Sequence, residues 1–158
     1  MRRRVALVAV VALVQAVLVV VAVAPRLSAH VRGEEYRFRV APLDPIDPFR
    51  GAYVTLSYPD LQPGGRRMTR EVPEGTVYVP LVADGEFWKA DGFESSRPED
   101  GPYLTCDSSG WSLSCGIESW FTDQDEAQRL EREVADGAVA TVLVDDRGNA
   151  AVVALAGE

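Results

Sequence analysis

Arg2-Arg3-Arg4 followed by twenty residues from Val5 to Ala24, apolar except for Gln15, constrains this 158-residue chain more than anything after it. As a helix such a run covers about 30 Å, the thickness of a bilayer's hydrocarbon core. Arginines next to a span stay in the cytoplasm. The expectation is therefore a cytoplasmic tip and transmembrane signal anchor over residues 1–25. One extracytoplasmic domain over residues 26–158 follows, on a single-pass protein of the cell membrane. The alternative is a cleaved signal peptide, since Ala22-Val23-Ala24 has the small-x-small form. Against it, Pro25 would be the first mature residue, and the run exceeds the ~7–15 apolar residues of a signal core.

Past Pro25 the chain changes character. All 24 carboxylates lie there, against 13 of the 16 Lys and Arg side chains, so this part carries about −11. An acidic domain of this kind does not bind nucleic acid or anionic headgroups through a basic face. The charge instead keeps the domain soluble. The two cysteines, Cys106 and Cys115, frame a turn, Asp107-Ser108-Ser109-Gly110. A lone close pair outside the cytoplasm reads as a disulfide, here one closing a hairpin. A zinc site would need further ligands, and the only histidine is His30. No metal and no cofactor is expected.

The periodicity is that of a mainly β, antiparallel domain. Glu35–Val40 alternates Tyr36, Phe38 and Val40 with charged neighbours, a strand with one buried face. Ala52–Tyr58 and Thr76–Val82 are further strands, separated by a Gly-rich turn at Gln62–Arg67, and Ala90–Pro102 has the composition of an exposed loop. Asp123–Asp136 is the single short α-helix expected, capped by Thr122 or Asp123 and ended by Gly137. The chain closes on a hairpin, Ala138–Val144 and Asn149–Leu155 around Asp145-Asp146-Arg147-Gly148, where Gly148 supplies a positive φ.

Catalytic constellations are scarce. His30 falls in the stalk after the span and has the character of a solvated residue. Asp44 and Asp47 sit in Asp-Pro pairs that form turns more readily than they hold a cation. One enzymatic alternative survives: Ser28, just past the span, with Lys89, the sole lysine, as a Ser-Lys dyad like that of signal-peptidase-type proteases. Ser28 lacks a following Met, and Lys89 falls beside a loop rather than in a desolvating strand.

The stretch Gly51-Ala52-Tyr53-Val54-Thr55-Leu56-Ser57-Tyr58, preceded by Arg50 and an Asp-Pro-rich approach, resembles the signature of the GDYXXLXY family of small membrane-anchored bacterial proteins. Gly116-Ile117-Glu118-Ser119-Trp120-Phe121 is similar to that family's Gly-Ile-Glu-x-aromatic-Phe segment, and Ala140–Val153 to its closing hairpin. The motif positions carried by the resemblance are thus Arg50, Gly51, Tyr53, Leu56, Tyr58, Gly116, Ile117, Glu118 and Phe121. At Ala52 the family motif has Asp, so any role of that carboxylate is lost here. The resemblance implies no established activity, but it implies a multi-pass membrane protein as a partner, because relatives are encoded beside such proteins. Read physically, Ala52, Val54, Leu56 and Tyr58 share the core face of one strand. The prolines ahead of it withhold N–H groups and so set where the strand enters the sheet. Arg50 and Glu118 are candidates for a bidentate pair across neighbouring strands.

These readings favour a non-enzymatic module for a membrane or envelope partner, using loop aromatics such as Trp88, Phe93 and Trp111. Besides the Ser-Lys peptidase, the competing reading is a small-molecule binder with a pocket lined by Tyr53, Tyr58 and Trp120.

Overall fold

In a computed structural model, which describes residues 2–42, 53–62, 72–109, 113–121 and 137–157, the apolar run belongs to one long helix, α1 (Arg2–Arg32). The helix does not stop at Pro25 but carries it internally and runs on to Arg32. The stalk expected after the span is therefore helical, and His30 lies exposed on it with Nδ1 2.9 Å from the Arg26 carbonyl. Proline removes one backbone donor and crowds the preceding turn. At the end of a long apolar helix that defect is confined to a single turn. Gly33 closes the helix, its N–H donating to the Ala29 carbonyl at 2.8 Å. A side chain at Gly33 would sit 2.9 Å from Leu143 Cβ, so the first strand begins immediately against its neighbour.

Eight strands follow: β1 (Glu34–Pro42), β2 (Tyr53–Ser57), β3 (Thr76–Asp84), β4 (Phe87–Ala90), β5 (Tyr103–Asp107), β6 (Ser119–Phe121), β7 (Ala138–Val144) and β8 (Ala150–Gly157). They make a five-stranded sheet in the order β6-β2-β1-β7-β8 and a three-stranded sheet in the order β4-β3-β5, antiparallel throughout. The architecture is mainly β, as the alternation predicts. The acidic helix expected over Asp123–Asp136 and the turn at Gln62–Arg67 fall outside the described residues, apart from Gln62 itself.

The core lies between the two sheets. Phe38, Ala140 and Val142 come from the larger sheet, and Val77, Val79 and Leu104 from the smaller; each is fully buried. The alternation explains this, since Val77, Val79 and Leu81 occupy every second position of β3. Each such side chain contributes roughly 1.5–3 kcal/mol by leaving water. β4 lies beside β1, and side chains close the gap between the sheets. Trp88 meets Tyr36 edge-on with centroids 4.9 Å apart. Phe87 lies under the Arg39 guanidinium at 4.3 Å. On β8 a bulge leaves Val153 over, because Thr141 pairs with Ala154 and Val142 with Val152.

Past Ala90, the last residue of β4, the segment to Pro102 is a largely exposed loop tied down at several points, among them Asp91 N–H to the Pro80 carbonyl and Leu81 N–H to the Pro102 carbonyl, both at 2.9 Å. Glu94 exchanges backbone hydrogen bonds with Tyr78 at 2.8 and 2.9 Å, which pins the loop beside β3.

Candidate functional site

The two signature segments, more than sixty residues apart, are neighbours. β2 pairs with β6 through Tyr53–Phe121, Val54–Trp120 and Thr55–Ser119. The ladder continues where the Leu56 N–H donates to the Glu118 carbonyl at 2.8 Å. Leu56, Tyr58 and Ile117 are all buried, which confirms the core face read from the alternation. The Tyr58 hydroxyl donates to the Ile117 carbonyl at 2.8 Å, and its ring meets Phe38 edge-on at 6.1 Å. Burial, reinforced by the charge of Glu118, pushes the Tyr58 phenol far above its ordinary value of 10.0.

Glu118 works locally. Its carboxylate accepts from the backbone N–H of Cys115 and from that of Gly116 at 3.0 Å, with the Ser114 hydroxyl at 3.4 Å. It thereby holds the tight turn in which Gly116 takes a φ of +80°, a conformation side chains disfavour. The expected partner Arg50, with Gly51 and Ala52, lies outside the described residues. For Tyr53 and Phe121 the backbone alone is described.

The disulfide stands next to this layer. Cys106 and Cys115 are joined, with Cα atoms 4.1 Å apart. Asp107 and Ser114 exchange backbone hydrogen bonds at 2.7 and 2.8 Å, so the cysteines face each other across the hairpin as expected. The buried Ser108 hydroxyl donates to the Pro73 carbonyl, which ties this hairpin to the segment leading into β3.

A second polar centre escapes the motif reading. Asp145, at the turn between β7 and β8, is only 5% exposed. Its carboxylate accepts the backbone N–H of Arg147 and of Asn149, both at 2.9 Å, and the Asn149 side-chain amide at 2.8 Å. Ser28 of α1 stands beside this turn, lining one groove with Arg147 and Asn149. Burial by itself would raise this carboxyl's pKa. The polar groups around it, Ser28, Asn149 and Arg147, outweigh it and hold the group below the ordinary carboxylate range.

The same turn grips the smaller sheet. Tyr103 donates to the Asp146 carbonyl at 3.0 Å, Thr105 to the Arg147 carbonyl at 2.9 Å, and the Thr105 N–H to the Gly148 carbonyl at 2.9 Å. Gly148 has a φ of +73°, and a Cβ there would lie 2.7 Å from both Tyr103 and Thr105. One five-residue turn thus joins the helix, the large sheet and the small sheet. In the sequence Asp145 reads only as a turn former; the available signal is its place four residues before Asn149, the spacing of a side chain capping its own turn.

The sequence model of the GDYXXLXY family, described as GDYXXLXY protein, matches residues 15–155, from within the apolar helix to the last strand. The chain belongs to the GDYXXLXY family. No curated protein and no solved structure matches it. In this GDYXXLXY protein the described signature residues serve packing and turn geometry, since each buried polar atom among them has its partner within the layer.

The residues once considered for chemistry are engaged elsewhere. Ser28 lies beside Arg147 and Asn149 of the β7–β8 turn, whereas Lys89 Nζ pairs with Asp84 at 3.4 Å across the β3–β4 hairpin. Asp84 also meets Arg39 at 3.3 Å, and Arg39 meets Asp60 at 3.1 Å. These half-exposed contacts contribute about 1 kcal/mol or less each. Among the described residues no cluster of His, Cys, Asp and Glu has the makings of a metal site. Tyr58 lines a recess of about 20 Å³, room for roughly one water. Trp88 and Phe93 are partly buried and pack on the core, and Trp111 lies outside the described residues.

Proposed function

We propose that this protein is a membrane-anchored, non-enzymatic module whose β domain lies outside the cytoplasm and serves a membrane or envelope partner. The observation that carries this reading is the rigid joint between helix and domain. α1 continues seven residues past Pro25, buries Ala29, sets Ser28 beside Arg147 and Asn149 of the β7–β8 turn, and ends at Gly33 directly in β1. A domain on a flexible tether samples many orientations. One joined to its anchor through a continuous helix is held at a set height and attitude, which suits docking beside a fixed membrane partner. The three arginines ahead of the span support an inward N-terminus. The peptidase alternative has no support in the geometry, because Lys89 pairs with Asp84 in the β3–β4 hairpin while Ser28 stands at the β7–β8 turn.

The test is crosslinking of the full-length protein in its membrane, followed by affinity purification and mass spectrometry. One stoichiometric integral membrane partner is expected. Repeated absence of any partner above background would sink the accessory role. Intact-mass measurement of the purified protein decides the anchor itself: a chain beginning at Pro25 would refute it.

A further inference from the structure

A groove of about 690 Å³ runs between the C-terminal turns of α1 and the β7–β8 turn. One wall is apolar, including Val21, Ala24 and Leu27 of the helix, and the other end carries Arg32 and Arg147 beside Ser28. Helix geometry sets its depth in the membrane. If Val5–Ala24 fills the hydrocarbon core, Ser28 stands four residues, about 6 Å, beyond that core. The headgroup layer is about 5–7 Å thick on each side. Ser28 lines the groove together with Arg147 and Asn149, so the β7–β8 turn stands in the headgroup layer and the groove spans its boundary with the acyl chains.

We propose that this groove seats an anionic phospholipid of the outer leaflet, its phosphate between Arg32 and Arg147 and the top of one acyl chain along Val21, Ala24 and Leu27. The inference rests on the anchored reading above. The domain as a whole is acidic and does not attract such a surface. The groove departs from that average, since the charged residues lining it are two arginines and no carboxylate. Asp145 and Asp146 lie close by. The Asp145 carboxylate is buried and occupied by Arg147 and Asn149. Asp146 stays exposed, and its carbonyl is bound by Tyr103 and Arg97. A neutral ligand would leave the two arginines lining the groove without an anion, and a soluble anion would leave the apolar wall unused.

Native mass spectrometry of the full-length protein in detergent, titrated with phosphatidylglycerol or phosphatidylcholine, tests this. One phosphatidylglycerol is expected to be retained in preference to phosphatidylcholine. In Arg32→Gln/Arg147→Gln, retention falls roughly 30-fold, from the loss of two cations at an anionic headgroup. Arg26→Gln, about 200° round the helix from Ser28, leaves it unchanged. Equal retention of the two lipids, or retention insensitive to the double variant, overturns the proposal. Full-length protein that keeps no lipid overturns the groove alone, whereas protein recovered with Pro25 as its first residue overturns the anchor and the groove together. Thermal melting of the variants, expected to match the parent, separates lost binding from lost folding.

Discussion

The β2–β6 signature layer and the β7–β8 turn are both places where distant segments meet around satisfied polar groups, and they are built differently. The signature layer is apolar packing with one buried phenol: Leu56, Tyr58 and Ile117 out of water, and Tyr58 bonded to a backbone carbonyl. The turn is a carboxylate surrounded by donors, with little apolar area of its own. The first kind of joint tolerates motion poorly, because a packed layer loses its contacts together. The second is directional and holds one geometry, which is what attachment of a helix to a sheet requires. Family identity, in this chain, is legible where the core is made, while α1 meets the domain at a turn outside the signature strands.

Substitutions in the two regions sharpen that contrast. Ile117→Ala removes a fully buried side chain and should destabilise the domain by about 2–5 kcal/mol in chemical denaturation, whatever the anchor does. If the loss is under about 1 kcal/mol, the signature layer is not core packing.

Asp145→Asn should cost about 2–3 kcal/mol, because it places an amide donor among the N–H donors of Arg147 and Asn149. Its distinguishing mark is geometric. The distance distribution between spin labels at Arg26 and Glu99 should broaden in this variant and stay narrow in Ile117→Ala under native conditions. The lowered carboxyl also sets a sign: its stabilisation is present above its ordinary value near 3.8 and lost as pH falls through that value and below. Asp145→Asn should flatten acid unfolding there.

Tyr58→Phe is the smallest change, about 1 kcal/mol from one lost hydrogen bond to the Ile117 carbonyl. Its phenol is raised, so the stabilisation is intact below pH 10 and is lost as pH climbs above it. Alkaline unfolding should therefore be shallower in Tyr58→Phe; an unchanged alkaline limb would show that the phenol is not buried against a carbonyl.

Local chemistry in the sequence was enough for several features. Twenty apolar residues dictate a helix long enough to cross a bilayer, because unpaired backbone groups have no solvent in lipid. Period-2 alternation in β1 and β2 dictates which side chains face inward, since a strand has only two faces; the run Thr76–Val82 is apolar throughout, and its inward face, Val77, Val79 and Leu81, was set by packing. The Cys106–Cys115 spacing suits one hairpin, and the hairpin forms. Two features depended on contacts between segments far apart in the chain. The span is read to end at Pro25, yet α1 continues because its last turns gain tertiary partners, with Ala29 buried and Ser28 beside the β7–β8 turn, that outweigh one lost hydrogen bond. Asp145 and Ser28 are 117 positions apart, and no local rule couples them. Propensity and periodicity act over one or two turns of chain, so they determine elements and faces. Which elements share a hydrogen bond is decided only when packing has brought their side chains together.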